Sequence, residues 1–158
     1  LVVGKIIGIT GYGLEVVQRL QVGARVDFVG RLPSRAEVCD LLRTCNLYAL
    51  PTLRDGPPVA ILEAMSLGLP ILCLKLGSTD EMLPDSAGFK INARSREQVV
   101  TDIAAALAWA ATHRAELRQR GLNARAHVAE CYNWDRIGRD VQGIYEETLR
   151  PPERVEPS

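Results

Sequence analysis

The sequence predicts an α/β fold in which a doubly wound parallel sheet, with helices on both faces, is followed by several further helices. Three observations support this prediction. Short runs rich in β-branched residues alternate with stretches of helical spacing over residues 1–92, and glycine or proline bounds most of these runs. Residues 95–149 have helical spacing almost throughout. Strands that alternate with helices of about 8 to 15 residues form βαβ units, in which the strands are parallel.

The first part of the chain is predicted to contain short strands separated by two helices. Strands are expected over 1–3, 6–9, 24–30 and 46–51, with the first helix over 14–20. Ser34 is placed to cap the second helix, and Glu37 three residues later is its capping-box partner. This helix extends to about Cys45.

A turn then leads into a helix predicted over 57–66. Gly56 permits the turn, and Pro57 and Pro58 suit only the first turn of a helix. Asp55 is well placed as its cap, and Gly68 followed by Pro70 ends it. The following elements are a strand over 71–74, a one-turn helix near Asp80 and a strand over 88–92.

Three helices are predicted between residues 95 and 149. Gly121 interrupts the second of them, and the third starts near Asn133. The rings of Trp109, Trp134 and Tyr145 fall at helical spacing in apolar faces, which predicts packing roles. We predict one domain over 1–149, followed by a polar, proline-rich and disordered tail over 150–158.

Composition and charge exclude several classes of function. Lys+Arg and Asp+Glu balance at 19 each, so no overall field attracts nucleic acid or an anionic membrane. No apolar run approaches the roughly 18 residues that span a bilayer. We interpret the arginines at 114, 118, 120 and 125 as a solvated helix face, and both histidines as surface residues. Four cysteines without metal-type spacing predict reduced thiols, and therefore a reducing compartment.

Parallel sheets bind ligands at the carboxyl ends of their strands, so the loops after the strands 46–51 and 71–74 are candidate ligand-binding segments. The loop after the strand 46–51 leaves the amides of Val59 and Ala60 free at a helix start, where an anion is favoured. After the strand 71–74, Gly77 ends the strand, Ser78 or Thr79 caps a helix, and Glu81 closes a capping box with Ser78. No Asp-x-Asp pair occurs, so no metal is expected on a diphosphate, and Arg54 or Lys75 could supply positive charge instead.

Glu63 is the unusual residue of this region. A carboxylate between Ile61, Leu62 and Ala64 is costly to bury unless something donates hydrogen bonds to it. Ribose hydroxyls or a backbone amide would do so. An outward-facing side chain in water is the alternative, and the residues alone leave both possibilities open.

The stretch NLYALPTLRDGPPVAILEAMSLGLPILCLKLGSTDE, residues 46–81, resembles the signature of the retaining GT-B glycosyltransferases of family 4, the group 1 type. The matching positions are Pro51, Gly56, Leu62, Glu63, Ala64, Met65, Gly68, Pro70, Gly77 and Glu81. ARVDFVGRL is similar to a family strand, and CYNWDRIGRDVQGIY is similar to the family's terminal helix. The resemblance covers residues 1–149 and implies a Rossmann-like, C-terminal half of a GT-B fold, with its first strand missing.

The resemblance also implies roles for single residues in binding a UDP-, GDP- or ADP-linked sugar. Asp55 takes the first acidic position, near the donor sugar, and is the catalytic candidate. Glu63 takes the second and binds the ribose. The remaining donor-binding candidates are Gly56, Val59 and Ala60 at the diphosphate and sugar, Gly30, Arg31 and Leu32 at the base, and Gly77, Ser78 and Glu81 in the second loop.

Departures from the family pattern keep rival functions open. Asp55 stands for the usual glutamate, Ser78 for a glycine, and Pro58 removes an amide. The family's diphosphate-binding Arg and Lys and its N-terminal acceptor domain are expected upstream of residue 1, so the chain alone is expected to bind nucleotide weakly and transfer nothing. The rivals are a non-catalytic scaffold domain, which the departures at Asp55 and Ser78 keep open, and a sugar-nucleotide epimerase, against which the LEAM block at residues 62–65 argues. The expected location is the cytoplasm, or the inner membrane face through the absent domain.

Overall fold

The structure, a computed structural model, describes the backbone of residues 4–7 and residues 26–53 and 58–150 in full. The described strands form two parallel sheets. One sheet pairs β1 (Gly4–Ile7) with β2 (Val26–Gly30), and the other has the order β3 (Tyr48–Leu50), β4 (Ile71–Leu74), β5 (Gly88–Ile91). The predicted helix over 14–20 and the tail beyond residue 150 lie outside the described residues.

Helices connect and follow these strands. They are α1 (Arg35–Arg43), α2 (Val59–Ser66), α3 (Gly77–Met82), α4 (Arg96–Thr112), α5 (Arg114–Cys131) and α6 (Trp134–Thr148), with a 3₁₀ turn over Asp85–Ala87. Ser34 caps α1 as predicted: its hydroxyl accepts from the Glu37 amide at 3.2 Å and donates to the Glu37 carboxylate at 2.9 Å. Asn133 caps α6 by accepting from the Arg136 amide at 2.8 Å.

The central strand β4 explains why helices cover both faces of the three-stranded sheet. All four of its residues are buried, and successive side chains point to opposite faces. Ile71 and Cys73 join a core with α1, α2 and α5, whereas Leu72 and Leu74 join a second core with α4. A parallel strand between two apolar layers is the arrangement that the predicted α/β fold requires, and that prediction is confirmed.

The end of α2 is fixed by glycine, as the sequence predicts. Gly68 has φ +78°, and the amides of Gly68 and Leu69 donate to the carbonyls of Met65 and Ala64 at 2.9 and 3.1 Å. These two bonds form a Schellman motif. Gly121 was predicted to interrupt a helix, and that prediction is wrong: it lies inside the continuous helix α5. Glycine is required there because an added Cβ would lie 2.1 Å from the Gly68 carbonyl oxygen.

Two helix starts differ from the predicted ones. Helix α2 begins at Val59 with Pro58 at the N-cap position, not at Pro57 with Asp55 as the cap. Helix α3 has Leu76 at its N-cap, without a side-chain capping bond, so the box between Ser78 and Glu81 is not formed. The hydroxyl of Thr79 instead donates to the carbonyls of Leu74 and Leu76 at 2.7 Å. This buried hydroxyl therefore ties α3 back to the end of β4.

The last third contains two further corrections. Trp134 and Tyr145 on α6 are 84% and 65% exposed, so the prediction that they pack is wrong, whereas Trp109 packs edge-on against Phe89 as expected. Arg120 does not belong to a solvated face. Its guanidinium lies 4.9 Å above the Phe89 ring and donates to the Gly88 carbonyl at 2.7 Å, which joins α5 to β5.

Candidate functional site

The candidate site lies at the carboxyl edge of the three-stranded sheet. Strands β3 and β4 are parallel neighbours, so their carboxyl ends at Leu50 and Leu74 face the same side. The connections to α2 and to α3 both leave from this edge. Two of the predicted site segments therefore start from adjacent strands, although they are separated by more than one element along the chain.

The first turn of α2 presents backbone donors at this edge. Val59 and Ala60 are its first two residues, so neither amide has a carbonyl four residues earlier within the helix. The Ile61 amide donates to the Pro58 carbonyl at 2.9 Å, which tightens the turn. Val59 is 65% exposed. Asp55 and Gly56, the candidates before this turn, lie outside the described residues.

Glu63 projects from the middle of α2 but does not face open water. Its neighbours Ile61 and Ala64 are fully buried, and its own side chain is only 24% exposed. The carboxylate Oε1 lies 2.9 Å from Nε of Arg35, the first residue of α1. Instead of pointing freely into water, the carboxylate is directed at the start of α1.

Arg35 brings a third predicted segment to the site. It lies in the helical turn that follows Gly30, Arg31 and Leu32, where the chain leaves β2. Gly30 has φ +72°, a conformation that favours glycine, and this directs the chain from the strand towards the helix. Arg31 is exposed and Leu32 half-buried. The ion pair thus links the helix that follows the predicted base-binding turn to the predicted ribose-binding carboxylate.

The sequence reasoning missed Arg35, although one signal was present. A cation in the first turn of a helix opposes the helix dipole, which favours negative charge there. Arginine at that position is consequently a hint that the side chain pairs with a carboxylate from another element. The position of Arg35 in the sequence does not reveal which carboxylate it pairs with, because Glu63 is 28 residues away along the chain.

Helix α3 carries the remaining predicted residues. Gly77 begins it with φ +47°, Ser78 is half-buried and Glu81 is exposed. The structure does not bring the side chains of Ser78 and Glu81 into hydrogen-bond contact with Glu63; within the described residues, Arg35 is the ion-pair partner of that carboxylate.

Lys90, a residue that the sequence reasoning did not select, anchors α3. Its Nζ lies 2.9 Å from Asp80 Oδ1 and 2.7 Å from Asp85 Oδ1, and its side chain is 16% exposed. The hydrogen bond to Asp85, followed by the one to Asp80, raises the Lys90 pKa above its ordinary value. The same bond lowers the Asp85 pKa. This double ion pair holds α3 and the 3₁₀ turn against β5.

The described residues hold neither a cluster of metal-ligating side chains nor a membrane-spanning helix. Over residues 26–53 and 58–150, no group of three His, Cys, Asp or Glu side chains is arranged to hold a metal ion. No helix in that part of the chain is long and apolar enough to cross a membrane. Because Asp55 lies outside the described residues, the expectation that donor binding needs no metal stays a prediction.

Residues 2–109 match a protein-family model described as "Glycosyl transferases group 1". The matched region extends from before β1 into α4, and includes every predicted site residue.

Individual relatives agree with the family match. The chain is 27% identical over 135 residues to a sucrose synthase of Acidithiobacillus caldus, which covers 82% of the chain and 17% of that protein. It spans 17% to 28% of the length of the curated relatives that it matches.

Solved structures share the fold. Anabaena HepE in complex with UDP and glucose superposes with a TM-score of 0.72 at 21% identity, covering 92% of the chain and 40% of HepE. The C-terminal domain of the group 1 family protein LpcC from Francisella tularensis superposes with a TM-score of 0.69 at 15% identity, covering 84% of the chain and 86% of that domain.

Proposed function

Because the chain belongs to the group 1 glycosyl transferases, we propose that it is the C-terminal, donor-binding domain of a retaining family 4 enzyme. Its ligand is a nucleotide-diphosphate sugar, linked to UDP, GDP or ADP. One observation supports this most strongly. The carboxylate of Glu63, whose side chain is 24% exposed, lies in an apolar helix that begins at the carboxyl edge of the sheet and is directed towards Arg35 at the start of α1. The complex of HepE with UDP and glucose also supports a nucleotide ligand.

In this proposal Glu63 binds the ribose. An ionised carboxylate accepts both hydroxyls of a diol, and a hydrogen bond to a charged group contributes about 1.5–3 kcal/mol. Arg35 keeps the carboxylate oriented through Oε1. The turn of Gly30, Arg31 and Leu32 lines the base, since it shortly precedes Arg35, the ion-pair partner of Glu63.

The first turn of α2 receives the diphosphate. The amides of Val59 and Ala60 donate to phosphate oxygens, and the helix dipole adds about 0.3–1 kcal/mol at an exposed end. Gly56 permits close approach of the donor. Gly77, Ser78 and Glu81 border the sugar from the neighbouring strand end, and Lys90 holds their helix in position. Lys75, at the end of β4, or Arg54 supplies further positive charge.

Asp55 is assigned to the transfer step. As the first acidic residue of the pair with Glu63, it lies beside the donor sugar, which is transferred to an acceptor hydroxyl with retention at the anomeric carbon. We assign acceptor recognition to an N-terminal domain, in keeping with the share of the relatives' length that the chain spans. Transfer needs a closed, water-excluding cleft between domains, so the chain alone binds donor and transfers nothing.

The location proposed with this function is the cytoplasm. The four cysteines are free thiols, as expected in a reducing compartment. Attachment to the inner membrane face would occur through the acceptor domain.

Thermal-shift measurements with UDP, GDP, ADP and their sugars test the donor site. A ligand at ten times its Kd stabilises by about 1.4 kcal/mol, which raises the Tm of a domain of this size by roughly 3–6 °C. We expect Glu63→Gln to weaken nucleotide binding by roughly 10- to 100-fold. Glu116→Gln is the matched control, because Glu116 is an exposed carboxylate on α5, away from this edge.

The results separate the two main alternatives. A shift for one nucleotide family that Glu63→Gln abolishes and Glu116→Gln preserves supports the donor site. No shift with any nucleotide favours a non-catalytic scaffold domain. Sustained sugar transfer by the 158-residue chain alone would contradict the need for a second domain.

A further inference from the structure

A groove opens at the amino edge of the sheet, opposite the candidate donor site. Its cavity volume is about 330 Å³. The segment before β3 and the segment between α2 and β4 form one side of it, and the first turns of α5 form the other. Strand β4 separates the two edges by four residues, or roughly 13 Å of extended chain. The groove is therefore distinct from the edge where α2 begins.

The rim of the groove is cationic. Arg43 at the end of α1 and Arg114 and Arg118 on α5 line it, and the described lining residues include no carboxylate. Arg114 donates to the Asn46 side chain at 3.3 Å, and Arg43 pairs with Asp40 at 2.6 Å. Within the described part of the chain, Arg118 forms neither a hydrogen bond nor an ion pair. The rim thus keeps at least one guanidinium for a ligand.

The floor of the groove is apolar. Leu69 and Leu117 are 5% and 3% exposed, and Pro70 is also buried. The close approach of Gly68 and Gly121 fixes this floor, because there α2 and α5 meet through backbone atoms. An apolar floor with a few polar groups at the rim is typical of small-molecule sites, whose volumes begin near 300 Å³.

The partly negative ends of the neighbouring helices explain only one of the three arginines at the rim. Helices α1 and α2 end at the amino edge, and their partly negative C-termini are offset by a nearby cation. Arg43 lies in the last turn of α1 and supplies the cation that offsets this C-terminus. Arg114 and Arg118 lie in the first turns of α5, where a cation opposes the helix dipole. Their placement one turn apart on the groove side is better explained by an anion that they face.

We propose that this amino-edge groove binds a soluble small molecule that carries phosphate or carboxylate groups and a short apolar body. The guanidinium groups of Arg114 and Arg118 bind the anionic groups, since the fork of N–H donors matches a carboxylate or phosphate in two-point contact. The apolar body rests on Leu69 and Leu117. The groove adds a second ligand site to the chain, independent of the donor-binding proposal.

Amide NMR titrations of the 158-residue chain with citrate and with inorganic pyrophosphate, at constant ionic strength, test this site. We expect saturable shifts of the Asn46, Gly68 and Leu69 amides at the groove. Arg118→Gln should weaken the affinity by roughly 10- to 100-fold, the effect of losing a charged hydrogen bond. Arg125→Gln on the same helix is the control, because Arg125 is exposed and does not line the groove.

Several results would overturn the proposal. Equal losses in Arg118→Gln and Arg125→Gln would show unspecific charge attraction. Shifts confined to Val59 and Ala60 would place the anion at the donor edge instead. Binding to vesicles of phosphatidylglycerol, without any response to either soluble anion, would make the cationic rim a membrane contact. Since the readout uses groove amides, the result does not depend on whether the nucleotide site exists.

Discussion

The guanidinium of Arg35 lies 2.9 Å from the carboxylate of Glu63, and this pair joins the first turn of α1 to the middle of α2. The two side chains are unequally exposed, 77% for Arg35 and 24% for Glu63. Because most of the Arg35 side chain is in contact with water, it can move away from the Glu63 carboxylate. Glu63 is held in place without being sealed from a ligand.

A double-mutant cycle with Arg35→Gln and Glu63→Gln should give a small coupling energy. Because Arg35 is largely in water, we expect about 0.2–1 kcal/mol of stability from the pair. Urea unfolding of the four proteins measures it. Arg35→Gln should also weaken nucleotide binding two- to tenfold, since a freer Glu63 must be ordered on binding. Unchanged affinity in Arg35→Gln would contradict a positioning role.

Gly121→Ala should destabilise the protein. The added Cβ would lie 2.1 Å from the Gly68 carbonyl oxygen and 3.2 Å from Pro70 Cδ, so α5 must move away from α2. Overpacking of this kind costs about 1–3 kcal/mol. Gly138→Ala is the control, because nothing lies within 4 Å of a Cβ there and alanine favours helix by about 0.5–1 kcal/mol. Urea midpoints should move in opposite directions, and parallel changes would rule out the close contact.

Lys90→Met should remove a pH-dependent contribution to stability. The folded-state Asp85 pKa lies below 3.8, so its contribution is present above that value and is lost as pH falls through the folded pKa. The folded-state Lys90 pKa lies above 10.5, so its contribution is present below that value and is lost as pH rises through the folded pKa.

The stability difference between wild type and Lys90→Met should therefore be constant between about pH 5 and 9 and shrink outside that range. Urea unfolding across pH measures it. A difference that is as large at pH 2 as at pH 7 would argue for packing by the lysine stem instead of the ion pairs.

Cys73 should resist alkylation in the folded protein. Burial in β4 raises its pKa from 9.0 to about 11, so at pH 8 its thiolate is about 100-fold rarer than in an ordinary thiol. Cys39, Cys45 and Cys131 are half-buried and should react first with iodoacetamide. Peptide mass spectrometry identifies the modified thiols. In urea, which unfolds the protein, Cys73 should be alkylated as fast as the other three cysteines. Rapid labelling of Cys73 under native conditions would indicate that the sheet opens locally.

Local signals predicted most of the elements correctly. The capping box of Ser34 and Glu37, the glycine end of α2 at Gly68 and the cap of α6 at Asn133 all depend on residues within a few positions of one another. The starts of α2 and α3 were predicted less well. There a proline and a buried threonine hydroxyl determine the backbone, and Thr79 finds its acceptors on the preceding strand.

The residues of the candidate site also fall into two groups, those that the sequence predicted and those that only the structure revealed. Glu63 stood out because a carboxylate among apolar neighbours requires an explanation, and the order of strands and helices predicted the edge where it lies. The roles of Asp55 and the other donor-binding residues stay predictions. Arg35 as the partner of Glu63, the Lys90 ion pairs and the exposure of Trp134 could not be read from local pattern, because each depends on distant elements.

By itself, the sequence determined the α/β alternation, the family and the helix ends at Ser34, Gly68 and Asn133, because periodicity, capping residues and a continuous motif act over short stretches of chain. Only the tertiary structure decided that Arg35 pairs with Glu63, that Gly121 is a packing contact, and that Arg43, Arg114 and Arg118 share one groove. The physical reason is that charge pairing and close packing depend on distance in space. That distance is set by how the helices lie on the sheet.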